Sequence, residues 1–414
     1  MSSSAITAPP PSSRASILGV PALEAYEPDS VGACAELFAR AAERKLPLGM
    51  IGGGTALGVG NAPSALDAVV FSRRLDHVVD YAPEDQVMVV QAGMTLARLQ
   101  ALARQNGQWL GVDAPQASTA TIGGLVAVGG FGPRRTRYGA IRDLLLGVTL
   151  VRADGAVAHG GSKVVKNVAG FDLPKVVAGS LGTLGLIAEV TLRLHPLPEL
   201  SASFRSSRLD ANAVVQAMLG LRRAQLEPSS VVALSDAHGR FELGVRLEGF
   251  RQGVERDAAR LLELSELRGN SCAERLSEEP AASFWQRHET ARTACSLRVR
   301  VNALPTQLPE VQKWLEPLLS VLEGGRLVWY ATLGIGFVAG DPGNPRQVVA
   351  ALESARSAAV WAGGSLVVDA APSSIRAGFD AWGPRPSAFA VMRELKQRFD
   401  PERRLNPGRF VGGL

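Results

Sequence analysis

Residues 115–147 read PQASTATIGGLVAVGGFGPRRTRYGAIRDLLLG. Gly123-Gly124, Gly129-Gly130, Gly132 and Gly139 are packed into one run with few charges before Arg134. Glycines this dense let a backbone approach a ligand closely and reach positive φ without a Cβ clash. Ser118, Thr119 and Thr121 add short hydrogen-bonding side chains. The run suits a peptide wall laid along a large cofactor. Two further glycine-rich stretches, Gly52 to Gly60 and Gly179 to Gly185, flank it and extend that wall.

Composition bounds what such a wall could serve. The chain has 414 residues and a net charge of +5, with 46% hydrophobic and 20% charged residues, a globular balance long enough for two cores. Arginines are scattered without a basic block, which argues against nucleic acid and leaves an acidic partner or anionic ligand open. Cys34, Cys272 and Cys295 are widely spaced, so zinc and iron–sulfur ligation are not expected; they read as small buried hydrophobes of a reducing compartment. Residues 1–15 are rich in Ser, Pro and Ala and read as a disordered arm rather than a signal peptide. No apolar run is long enough for a membrane span. The expectation is a cytoplasmic protein.

Periodicity gives a helix over 31–44 and a strand over 46–51 that runs into the first glycine loop. Strands follow at 68–72, 86–92, 144–152 and 185–194, with a helix at 95–106. Pro196 and Pro198 mark a boundary, giving one domain over 16–198. Over 199–397, helical stripes at 211–225, 253–267, 308–322, 345–362 and 387–399 alternate with six strand-like runs. That texture predicts an α+β layer of helices on one antiparallel sheet, with a tail over 398–414 returning to the first domain. No repeat of solenoid period is present.

The common nucleotide motifs fail. Gly58-Val59-Gly60 is followed by Asn61-Ala62-Pro63, which ends a dinucleotide fingerprint, and GAVAHGGSK over 155–163 lacks the G-K-[ST] of a phosphate loop. The loop over 179–185 precedes a strand. Backbone amides in successive loops, rather than a helix dipole, would hold a phosphate here.

The order MIGGGTAL (50–57), the opening stretch, KVVKNVAGFDLPKVVAGSLGTLGLIAEVTLRLHPLP (163–198) and a terminal FDPERRLNPGRF (399–410) resembles the vanillyl-alcohol oxidase / p-cresol methylhydroxylase superfamily of FAD-binding proteins. Within it the chain is most similar to the glycolate oxidase (glycolate dehydrogenase) subunits, of the FAD-binding E type. The resemblance implies an α+β fold: a two-part FAD-binding domain of the p-cresol methylhydroxylase type and an α+β cap. It implies that Ile51, Gly52, Gly53, Gly54, Thr55, Ala56 and Leu57 wrap the FAD pyrophosphate. Pro115, Gln116, Ser118, Thr119 and Thr121 would line its other side, with Gly123 and Gly124 allowing close approach. Gly129, Gly130 and Gly132 would sit near the flavin, Gly182, Thr183 and Ile187 would bring a strand to it, and Asn406 would reach in from the tail.

Several departures bear on mechanism. Thr55 stands where relatives with covalent FAD carry a His, so the flavin is expected to be non-covalent. Relatives that oxidise 2-hydroxy acids carry a metal-holding cap motif of paired histidines, whereas Trp329 to Phe337 (WYATLGIGF) has none, and Leu181 replaces the acidic residue of GSEGTLG. His77, His159, His195, His238 and His288 show no spacing for a metal or a triad. The catalytic candidates are His288, Arg287 and Tyr330, with Arg292 as a second carboxylate fork; Lys163 and Lys166 are candidates for the phosphates. The resemblance implies a subunit working with a catalytic FAD subunit and an iron–sulfur subunit, in electron transfer or assembly rather than in hydride removal from glycolate. A free-standing FAD-dependent 2-hydroxyacid or alcohol dehydrogenase and a non-enzymatic assembly subunit are the alternatives.

Overall fold

The computed structural model describes residues 15–162, 172–267 and 273–414. Lys163, Lys166, Cys272 and nearly all of the expected arm lie outside the described residues. The rest divides into two compact units: one up to Gly132 with Gly139–Pro196 and Pro384–Leu414, the other made of Pro133–Tyr138 and Leu197–Gly383.

The first unit is built on two sheets. Glu24–Tyr26, Ala68–Phe71 and Leu48–Ile51 form a three-stranded parallel sheet, with the middle strand last in sequence. The helix Val31–Glu43 packs Cys34, Leu37, Phe38 and Ala41 into its core. Ser30 starts that helix by accepting from the Ala33 amide at 3.1 Å. Burial pushes the Cys34 thiol up to about 12, so it behaves as the inert apolar side chain expected of it. The second sheet is antiparallel, in the order Val157–Gly161, Leu145–Val151, Leu186–Arg193, Val87–Gln91, Val78–Ala82. Helices Leu96–Arg104 and Ile122–Val128 close its apolar face.

The tail finishes this unit. Leu405 bridges Leu48 in parallel, so the parallel sheet gains a rung from the chain end. The helix Phe389–Phe399 also belongs here, which moves the boundary from 397 to 383/384. The reason is Lys396, whose buried ammonium donates to the Thr183 and Leu405 carbonyls and to Asp400, at 2.8, 2.9 and 2.7 Å. Burial pulls the Lys396 pKa below the ordinary lysine value, against the pull of Asp400.

The second unit is one eight-stranded antiparallel sheet, ordered Glu274–Leu276, Leu200–Leu209, Phe241–Gly249, Ser230–Ser235, Leu322–Tyr330, Ile335–Pro342, Leu297–Asn302, Ser365–Ala370. Each half is a βαββαβ motif, and the two meet between Ser230–Ser235 and Leu322–Tyr330. The repetition is one of topology, with no sequence period to announce it. Helices Ala211–Arg223, Arg251–Leu262, Leu308–Ser320 and Pro345–Trp361 cover one face, where Phe241, Val299, Trp329 and Val338 point. The other face receives Glu278–Thr293, a helix not anticipated from periodicity because it buries just Phe284 and His288. Gly244 makes room for it: a Cβ there would lie 2.2 Å from the Phe284 ring.

Residues 133–138 leave the first unit and join the second. Arg134 grips Glu248 through Nε (3.0 Å) and Nη2 (2.7 Å), Arg137 donates to the Glu248 carbonyl at 2.6 Å, and Thr136 bonds Thr332 at 2.8 Å. Burial works against the Glu248 carboxylate, but the hydrogen bonds and charge of Arg134, with the charge of Arg246, hold it below the usual carboxylate range. Among the described residues no helix is long and apolar enough to cross a membrane.

Candidate cofactor-binding site

Three segments of the first unit converge on one cleft of about 820 Å³ of empty volume, its solvent-filled mouth included. The first is the loop from Met50 to Leu57 that ends the strand Leu48–Ile51. The second is the start of the helix Ile122–Val128, represented by Thr121, Gly123 and Gly124. The third is the turn from Leu181 into the strand Leu186–Arg193. Asn406 and Arg409 enter from the tail.

Within the glycine-rich run of 115–147 lies a short helix, Ile122–Val128, that periodicity did not give. Thr121 Oγ1 accepts from the Gly124 amide at 3.2 Å to start that helix, and Gly129, at φ +64, ends it in the left-handed region. Two of the glycines answer to neighbouring chain as much as to any ligand. A Cβ on Gly52 would lie 2.1 Å from Thr121 Oγ1, and one on Gly53 would lie 1.7 Å from the Thr119 carbonyl oxygen. The first and second loops therefore seat against each other.

Of the residues expected at the cofactor, Ile51, Gly52, Gly53, Gly54, Thr55, Ala56, Leu57, Thr121, Gly123, Gly124, Gly182, Ile187 and Asn406 line this cleft together. The others lie elsewhere. Pro115, Gln116, Ser118 and Thr119 form the turn before Thr121, where the Thr119 hydroxyl donates to the Gln116 carbonyl at 3.1 Å. Gly130 bonds the Leu125 carbonyl, and Gly132 packs against Asp113, which leaves no room for a Cβ. Thr183 is buried with its hydroxyl donated to Ser180 at 2.7 Å.

Asn406 holds two walls of the cleft. Its amide nitrogen donates to the Leu181 carbonyl at 2.7 Å, and its amide oxygen accepts from the Met50 backbone at 3.4 Å. Sequence reasoning missed Arg409, which is buried and donates to the Leu57 and Val59 carbonyls at 3.0 and 2.7 Å, tying the first loop to the tail. Its signal was a cation three residues past Asn406 in an otherwise packed tail.

The catalytic candidates fall in the second unit. Arg287 is exposed and clasps Glu242 at 2.7 and 2.9 Å, a surface fork already filled by a carboxylate. His288 and Tyr330 are buried together, with His288 Nε2 3.0 Å from the Tyr330 hydroxyl. Burial, and then the charges of Arg292 and Arg246, push the His288 pKa well below its ordinary value, so the ring is neutral. Trp329 points into the opposite core, as alternation along a strand requires.

The cleft suits a dinucleotide. Its lining holds peptide edges, the hydroxyls of Thr55, Ser72 and Thr121, and the Arg409 cation. Among the described residues that line it there is no carboxylate to repel a diphosphate.

The comparisons agree. An FAD binding domain model matches residues 23–161. Glycolate oxidase subunit GlcE of Escherichia coli (strain K12) is 30% identical over 342 residues, covering 81% of this chain and 85% of the relative. D-lactate dehydrogenase of Archaeoglobus fulgidus is 27% identical, covering 90% and 87%. The fold matches p-cresol methylhydroxylase with a TM-score of 0.75 at 15% identity, over 96% of this chain and 91% of that one. FAD is the cofactor. The chain belongs to the family of FAD-binding glycolate oxidase subunits of the E type.

Proposed function

We propose that this chain is the FAD-holding subunit of a multi-subunit glycolate oxidase, serving electron transfer or assembly while a second flavoprotein removes hydride from glycolate. The observation that carries the reading is the cleft where the Ile51–Leu57 loop, Thr121–Gly124 and Leu181–Ile187 meet under Asn406. Successive backbone amides at Gly53–Leu57, with Arg409 behind them, provide for a diphosphate. Thr121 and Gly124 would line its other side, and the apolar Leu125, Leu186 and Ile187 would face the ring system. FAD supplies the redox chemistry; the protein binds it, orients it and excludes water.

Thr55 in the position of a covalent histidine supports a dissociable flavin. The second unit supports a division of labour. A general base must reach the substrate hydroxyl with an accessible lone pair, whereas His288 is buried against Tyr330 and Arg287 is committed to Glu242. An iron–sulfur partner would take the electrons onward. The reading places the assembly in the cytoplasm, at a membrane through its partners alone.

Expression of this chain in Escherichia coli lacking GlcE tests the reading. Glycolate-dependent dye reduction returns to the extract, while the purified chain gives none. Turnover of glycolate by the purified chain would instead favour a free-standing dehydrogenase.

A further inference from the structure

The strand Leu297–Asn302 turns Leu297, Val299 and Val301 into the core beneath the four covering helices. By the pleat, Arg298 and Arg300 stand on the opposite face. Arg300 is paired in register with Phe337, and Arg298 with Ala339. Arg292, at the end of the helix Glu278–Thr293, lays its guanidinium 4.4 Å from the Phe337 ring centre and 5.6 Å from that of Tyr330. Arg376 joins this neighbourhood, its Nε donating to the Ala371 carbonyl at 2.9 Å.

Among the described residues, the acid beside these cations is Asp369. Arg298 pairs with Ala370 and Val299 with Val368, so Asp369 is the extra residue of a bulge, a device that re-aims a side chain. It lies 3.4 Å from Arg300. The Nε atoms of Arg292, Arg298 and Arg300 are each buried with no hydrogen-bond partner among the described residues. Buried guanidinium donors ordinarily find acceptors, and leaving them unmade is unfavourable. Burial lowers the pKa of both Arg298 and Arg376, with Asp369 opposing at Arg298, yet a guanidinium stays charged at any physiological pH. Among the described residues, Asp369 is ion-paired to Arg300 and lies beside Arg298, with Arg292 and Arg376 next to Arg298.

We propose that Arg292, Arg298 and Arg300 form a binding site for a small dicarboxylate. Arg298 and Arg300 rise from the same strand face about 6.6 Å apart, two residues of strand rise, which presents two planar forks side by side. The Phe337 ring carries the Arg292 guanidinium on its face, which holds that cation beside the two forks. A monocarboxylate such as glycolate fills one fork and leaves the others unpaired. Inorganic phosphate has the charge but not the span. The site lies within the second unit and does not depend on the flavin reading.

Calorimetric titration of the holoprotein with malonate, glycolate and inorganic phosphate tests this. Malonate binds with one-to-one stoichiometry and at least about tenfold more tightly than either of the others. Arg298→Gln combined with Arg300→Gln abolishes the malonate heat. Asp369→Asn removes the competing acid and tightens malonate binding several-fold, and it carries the test if the double variant does not fold. Equal affinity for malonate and glycolate, phosphate binding as tight as malonate, or an Asp369→Asn protein with lower Tm and unchanged malonate affinity would each overturn the proposal.

Discussion

The side-chain amide of Asn406 donates to the Leu181 carbonyl at 2.7 Å, joining a residue of the chain end to a turn 225 positions earlier. Both residues hold positive φ, +44 and +52, so the contact fixes two strained turns against each other beside the cleft. Asn406→Ala leaves a buried carbonyl without its donor and should destabilise the protein by about 1–3 kcal/mol. Asn406→Asp keeps the shape but loses the donor, and it should weaken FAD binding to a similar degree. Denaturant midpoints and flavin fluorescence titration check both.

Gly53→Ala separates packing from stability. The new methyl would meet the Thr119 carbonyl oxygen at 1.7 Å, so the first loop must lift away from the Thr119–Thr121 segment. Gly53 is exposed, so the Tm of the flavin-free protein should move little. FAD affinity should fall about tenfold or more, as expected when a preorganised site is displaced by an ångström. Flavin content after gel filtration reads the difference.

His288 gives the second unit an acid-side weakness. Burial and the neighbouring arginines depress its pKa in the folded state, so the unfolded chain takes up a proton the folded chain refuses. Its contribution to stability is therefore present above the ordinary histidine pKa, near 6.5, and is lost as pH falls below it. The slope from this one group should reach at most about 1.4 kcal/mol per pH unit. His288→Gln, which can still bond Tyr330, should flatten stability between neutral pH and the onset of carboxylate titration. Urea unfolding at a series of pH values makes the comparison.

Arg134 and Glu248 predict a cost of breaking the second unit open. Glu248 is 1% exposed in its side chain and Arg134 21%. Glu248→Gln removes the charge that Arg134 grips and Arg246 favours, and it should cost about 3 kcal/mol, the lower end for a buried pair broken on one side. Replacing both Arg134 and Glu248 with Met should recover part of that loss. A double-mutant cycle on unfolding free energy isolates the pair.

Much of this fold can be read without coordinates, for physical reasons that also mark where reading fails. Glycine loops at 52–54 and 182 are legible because positive φ and close approach leave a compositional trace. Asn406 is legible through its motif. The helix Ile122–Val128 is hidden because Gly123-Gly124 are poor helix formers, and a Cβ on Gly123 would lie 2.6 Å from Ala92 Cβ. Residues 133–138 carry three arginines and look like a solvated loop, yet Arg134 is spent on Glu248, 114 positions away. The boundary at 397 was misplaced because Lys396 reads as a surface charge, and its burial among Thr183, Asp400 and Leu405 exists in three dimensions alone. Arg287 illustrates the reverse: a fork that looks available in sequence is already occupied by Glu242.

The central claim is that this chain holds a dissociable FAD and does not by itself oxidise glycolate. An anaerobic visible spectrum of the isolated chain, reconstituted with FAD and freed of excess, tests it before and after addition of glycolate. The account predicts a bound oxidised flavin at about one per chain, released intact by acid, whose absorbance glycolate leaves unchanged. Absence of bound flavin, flavin that stays with the acid precipitate, or bleaching by glycolate would contradict it.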